Sequence, residues 1–196
     1  MNIAGILNIN VLSFAVCAVI LADVSRRFEK KLKQNRVLSW ILSANLLLIA
    51  LDMAAGACSG NAQPLARTLN AAANYCLYLL YPLPGFLWVM YVNHQMFHHR
   101  KNNRRIKLSF LFPYLAYAGF VAANPFFHGI FHIDASNVLH RGPYAPVVPA
   151  VSWLYLLFAY IILFRFRYRL ENRAFSALLA YAVPSAAASA VQFLFL

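Results

Sequence analysis

The amino-acid sequence predicts an all-α polytopic membrane helix bundle of six spans, with its N-terminus outside. Three observations predict it. Of the 196 residues, 62% are hydrophobic and 11% charged, against about half and about a quarter in a soluble domain. A chain this short has too much surface for its volume to hide such a surplus from water. Six apolar stretches reach the roughly 20 residues that a helix needs to cross hydrocarbon. The basic residues, which give a formal charge of +12, fall in clusters between those stretches. Clusters so placed belong to the flanks of membrane helices rather than to a nucleic-acid surface, so the partner implied is the lipid bilayer and no nucleic acid is expected.

The first stretch, about 3–24, opens on MNIAGILNIN, which has no Lys or Arg. A secretory signal carries a basic segment there, so the stretch reads as a retained first helix. The second, about 37–58, contains Asp52 and leads into Gly56 and Gly60, GxxxG spacing that suits close helix packing within one chain or in a homodimer. The third, about 68–96, is interrupted by Pro82, Pro84 and Gly85. Proline removes a backbone donor and kinks a helix, which makes Pro82 and Pro84 candidate conformational hinges. The fourth, about 107–127, contains Pro113, and the fifth covers about 147–168. The sixth, about 173–196, holds Pro184, a third candidate hinge, at the head of the small-residue run PSAAASA. Helices are expected throughout, because lipid leaves no partner for an unpaired backbone group.

Charge sets the direction. Arg26, Arg27, Lys30, Lys31, Lys33 and Arg36 lie on the first loop, Arg100, Lys101, Arg104, Arg105 and Lys107 on the third, and Arg165, Arg167, Arg169 and Arg173 on the fifth. Only Arg67 and Arg141, of 17 basic residues, fall on the other side. The positive-inside rule therefore places loops one, three and five in the cytoplasm.

An ionisable residue within a span is costly and needs a reason. Asp52 is expected either to contact a ligand or cation, or to pair with Arg67 or a neighbouring helix. Asn70, Asn74 and Tyr78 recur at every fourth position and so share one face of the third span. They suit a small-ligand site or hydrogen bonding between helices. His94, His98 and His99 form HxxxHH, and His128 and His132 form HxxxH, spacings that resemble the histidine boxes of di-iron membrane enzymes. The two boxes belong to opposite sides of a hydrocarbon layer about 30 Å thick, so no shared metal is expected. Cys17, Cys58 and Cys76 show neither disulfide nor zinc spacing. No nucleophile–base set or phosphate loop is present, so neither catalytic residues nor a cofactor is expected.

The outer segment from Asn124 to Pro146, NPFFHGIFHIDASNVLHRGPYAP, offers Asp134, Asn137 and Arg141 to pin a compact loop through turns and charge-assisted hydrogen bonds. Asn74-Tyr75, Tyr78, Trp88, Tyr91, Asn124-Pro125, Phe131-His132-Ile133-Asp134, Asn137, Arg141-Gly142-Pro143, Pro184 and Gln192 together resemble a family pattern. It is that of the N-terminal multi-helix membrane sensor found ahead of GGDEF diguanylate cyclase domains, related to a seven-helix module of histidine kinases. The resemblance spans about residues 40–196, and its Ile-Asp…Asn…Arg-Gly-Pro run is the most specific part. It implies a signal-sensing input module that binds a small ligand from outside or from the membrane and regulates a cytoplasmic cyclase. Asp52, Asn70, Asn74, Tyr78, Asp134, Asn137 and Arg141 would form its sensing side. The family continues into a seventh helix and an output domain, whereas this chain stops at Leu196 on FLFL, so truncation before a seventh span is expected. A small-solute transporter is the alternative, although no repeat relates residues 1–98 to 107–196, as transporter halves often are.

Overall fold

The computed structural model describes residues 3–27, 33–97, 103–172, 175, 176, 178 and 179. In chain order its elements are α1 (Ile3–Arg27), α2 (Lys33–Cys58), α3 (Pro64–Leu80), α4 (Leu83–Met96), α5 (Asn103–Ala122) and the short α6 (Asn124–Phe127). A hairpin of β1 (Phe131–Ile133) and β2 (Leu139–Arg141) follows, then α7 (Val147–Arg165) and a 3₁₀ turn, Arg167–Arg169. Among the described residues, three helical stretches are long and apolar enough to cross a membrane: Asn35–Cys58, Pro64–Met96 and Val147–Arg165. Large apolar side chains stand on the outside of the helices, among them Phe112, Val19 and Leu157. Water would penalise that surface and lipid does not. The chain is a largely helical protein whose apolar helices suit a membrane. Most of the sixth run, 173–196, with the hinge candidate Pro184, lies outside the described residues.

α1 packs on α2, α2 on both α3 and α4, and α4 on α7, while α5 leans on α3 and α4. One apolar core lies between α4 and α7, with Trp88, Val89, Val92, Tyr155, Ala159 and Leu163 all buried. Gly85 permits their close approach, because a Cβ there would stand 3.2 Å from Cβ of Tyr155 and 3.3 Å from the carbonyl of Ser152. A second core lies under the hairpin, where Ile130 and Phe131 meet Tyr117, Val121 and Val148.

The third apolar run is two helices rather than one, and the break between α3 and α4 falls at Tyr81 and Pro82. Pro82 has no N–H to give the carbonyl of Tyr78, one turn earlier. The Tyr117 hydroxyl of α5 donates to that carbonyl at 2.5 Å, beside a longer bond from the Tyr81 amide at 3.4 Å. The Tyr114 hydroxyl, one turn away on α5, donates to the carbonyl of Leu79 at 3.2 Å. Near Pro113, the Tyr155 hydroxyl of α7 donates to the carbonyl of Phe110 at 2.8 Å. At Tyr78 a side chain of a neighbouring helix thus re-satisfies the carbonyl that proline deprives of its donor, as a low-dielectric surrounding requires.

Candidate functional site

Short-range constraints build the hairpin. The strands pair antiparallel with Phe131 opposite Arg141, His132 opposite His140 and Ile133 opposite Leu139. The Asp134 amide donates to the carbonyl of Val138 at 3.0 Å, and the Asn137 amide donates to the carbonyl of Asp134 at 3.1 Å. The Val138 amide donates to Oδ1 of Asp134 at 2.9 Å, and Oδ2 lies 2.9 Å from Nε2 of His140. The Val138 amide first, and the His140 ring second, hold the Asp134 carboxyl below its usual range. Asn137 closes the turn at φ 59°, a left-handed conformation that Asn tolerates better than other side-chain-bearing residues.

Two asparagines anchor this hairpin in the bundle. Asn137 is fully buried. Its Nδ2 donates to the carbonyl of Cys58 at 2.7 Å and to that of Asn61 at 2.9 Å. The first of these lies at the C-terminus of α2, where it also takes the Asn61 amide at 3.3 Å and Gly60 at φ 76° turns the chain. Nδ2 of Asn70 donates to both the carbonyl and Oδ1 of Asn137, at 3.0 and 2.9 Å. Asn74 in turn donates to Oδ1 of Asn70 at 2.7 Å and to its carbonyl at 2.9 Å. The second anchor is Asn124, also fully buried. Its Oδ1 accepts from the amide of Ile130 at 2.9 Å, and its Nδ2 donates to the carbonyl of Phe131 at 2.9 Å.

Between the anchors the hairpin puts an aromatic plug into the bundle. Phe131, buried to 1%, stacks on Tyr78 with ring centroids 4.5 Å apart and meets Tyr75 edge-on at 4.8 Å. Opposite it, the Arg141 guanidinium acts on the phenols of Tyr78 and Tyr81, and the Asp52 carboxylate acts on the same pair. Asp52 and Arg141 are both exposed, whereas the two tyrosines are half-buried. Charges of opposite sign therefore border one patch of phenols on the hairpin side of the bundle.

The residues expected at a ligand site divide into two groups. Asn70, Asn74 and Asn137 come together, and their amides bind one another and the backbone. Asp52, Tyr78 and Arg141 form the accessible patch, and Asp134 shapes the turn. The expected pair of Asp52 with Arg67 is not formed. Asp52 instead accepts from Nδ2 of Asn10 on α1 at 2.6 Å, the neighbouring-helix option. Arg67 reaches the carbonyl of Asp134 at 3.3 Å. The face of α3 that carries Asn70 looks toward the hairpin, and Arg67, one turn earlier, joins the turn.

Sequence reasoning did not single out Asn124, Phe131 or Tyr81 as site residues. Asn124 and Phe131 lie within the family-like pattern, and that membership was their only signal. His132 stacks on His140, its cross-strand neighbour, at 5.2 Å, rather than acting with His128. Among the described residues, no group of three or more His, Cys, Asp or Glu is placed to hold a metal ion. His98 and His99 lie outside the described residues. Comparison with protein-family models, with curated proteins and with solved structures finds no match.

Proposed function

We propose that this chain is a membrane-embedded signal-input module that controls a cytoplasmic output enzyme, a diguanylate cyclase. The observation that carries the proposal is the double role of Tyr78. Its ring stacks on Phe131 of the hairpin, while its carbonyl sits at the Pro82 break and takes the Tyr117 hydroxyl. One residue therefore joins the surface open to a ligand with the point where the α3–α4 rod changes direction. The family resemblance of the Ile-Asp…Asn…Arg-Gly-Pro run supports the same reading, since that run is the hairpin.

In this reading Asp52, Arg141 and the phenols of Tyr78 and Tyr81 contact the ligand. Asn70, Asn74, Asn137 and Asp134 fix where the hairpin stands. A ligand shifts the module only by the difference in its affinity for two arrangements of the bundle. A bias of about 1.4 kcal/mol changes the ratio of the two states tenfold. The displaced element is the hairpin plug, and the responding element is the break at Pro82.

The test is the cyclic-di-GMP content of cells that express the protein from its own gene. Arg141→Ala and Phe131→Ala should change that content several-fold at unchanged membrane abundance. Uptake of a solute by proteoliposomes that contain the purified chain would replace this reading with a transporter.

A further inference from the structure

At the basic end of the α1–α2 pair, away from the hairpin, the two helices diverge and leave a cavity of about 310 Å³. That volume lies at the lower end of the range for small-ligand sites, about 300–1,000 Å³. Arg36, Ser39 and Ser43 line it from one face of α2, at helical spacings of three and four. Ser25 faces them from α1, and Leu21 and Val24 supply an apolar wall. The Ser39 hydroxyl donates to the carbonyl of Asn35 at 3.0 Å, so Ser25 and Ser43 supply the lining hydroxyls left to donate to a bound anion. Asp23 is not among the lining residues.

We propose that this cavity binds the phosphodiester headgroup of an anionic phospholipid. Arg36 offers a planar fork of donors that matches two phosphate oxygens, and the serine hydroxyls suit the remaining ones. The Arg36 guanidinium lies 5.8 Å from the centroid of the Trp40 ring, and tryptophan marks headgroup depth in membrane helices. Basic pockets between helices at that depth are where anionic headgroups bind. The rest of the same two helices decides between a lipid and a free anion. Phe14 of α1 and Leu47 of α2 are exposed on the faces of their helices that carry the lining, apolar surface for acyl chains beyond the point where the polar lining stops. A free phosphate has no use for that surface.

The experiment is native mass spectrometry of the whole chain in phosphatidylcholine nanodiscs doped with phosphatidylglycerol. The wild type should retain phosphatidylglycerol in preference to phosphatidylcholine. Arg36→Gln should reduce that retention about tenfold, the worth of a charge-assisted hydrogen-bond pair. Ser25→Ala, an exposed helix position where alanine favours the fold, should reduce it about threefold. Arg165→Gln, which removes one basic charge from α7, should leave it unchanged. Equal retention of both lipids overturns the proposal. So does an equal loss in Arg165→Gln, which would reduce the effect to bulk charge. Displacement of the lipid by excess inorganic phosphate overturns the lipid assignment in favour of a free-anion pocket.

Discussion

Asn137 ties the hairpin to the end of α2 and to Asn70 of α3, and every polar atom of its side chain has a partner in that role. Truncation to alanine removes the Nδ2 donors from two part-buried carbonyls and the Oδ1 acceptor from the buried Asn70 amide, and keeps a Cβ at a left-handed φ. Each unsatisfied buried group costs about 1–3 kcal/mol, and the left-handed backbone adds about 1 kcal/mol. Asn137→Ala should lower the melting midpoint in detergent well below that of Asn137→Gly, which relieves the backbone and loses only the hydrogen bonds. Equal midpoints would mean that the φ value contributes nothing. Asp134 makes a separate prediction, in pH. Its carboxyl titrates below the ordinary value of 3.8 in the folded chain, so folding favours the ionised form. The stabilisation is complete above that value and is lost as pH falls through the depressed one. Exchange protection of the Val138 amide, corrected for the intrinsic rate, should therefore be flat from neutral pH down to about 4 and fall below it. Of these residues, Asn70 and Asn74 were visible in sequence because one helical face repeats every three to four residues, and Asn137 because it sits in the loop pattern. Their pairing was not legible, since Asn137 arrives from 67 residues away and no local periodicity encodes that distance.

The helices and the hairpin were unequally legible for a physical reason. Helices of 19 to 26 residues, such as α7 and α2, announce themselves because lipid demands an unbroken apolar run. The strands are three residues each, too short for alternation to stand out. They exist because the bundle holds them through Asn124, Asn137 and Phe131, so a loop was the reading open to sequence alone. Gly142 is the most restrictive point of this element. A Cβ there would stand 2.2 Å from the carbonyl oxygen of Gly129, which is backbone and cannot rotate away. Gly142→Ala should destabilise the hairpin by several kcal/mol, about the upper range for point substitutions, and expose Phe131 to proteolysis near the turn. The kink offers a cleaner measurement. Tyr117→Phe removes the hydroxyl that the Tyr78 carbonyl receives in place of a missing N–H, at a cost of about 1 kcal/mol. Pro82→Ala restores an N–H for that carbonyl. Tyr117→Phe should therefore be nearly neutral in the Pro82→Ala background, and the double-mutant cycle should return a coupling of about 0.5–1.5 kcal/mol. A coupling of zero would mean that the hydroxyl and the proline act independently.

Across the whole molecule, the two ends of the bundle differ in kind. The hairpin end is held by neutral amides and an aromatic plug, with Arg67 and Arg141 its only basic residues. The opposite end gathers arginines against aromatic rings. Arg169 lies 5.2 and 5.3 Å from the ring centroids of Phe97 and Phe166, and Arg167 lies 5.0 Å from that of Phe175. Arginine stacked on aromatics keeps its charge at the interface while its stem stays in apolar surroundings. Moving such an end through hydrocarbon costs several kcal/mol per charge, so the positive-inside rule predicts that this end stays in the cytoplasm. In a background where Cys17, Cys58 and Cys76 are alanine, Ser136→Cys tests the hairpin tip and Ser25→Cys tests the basic end. A membrane-impermeant maleimide added to intact cells should label Ser136→Cys and leave Ser25→Cys unlabelled until the cells are opened. The reverse pattern would turn the bundle over, put the Asp52–Arg141 patch on the cytoplasmic side, and remove the basis for an outward-facing sensor. Labelling of both positions in intact cells would mean that the two ends are not separated by the membrane at all.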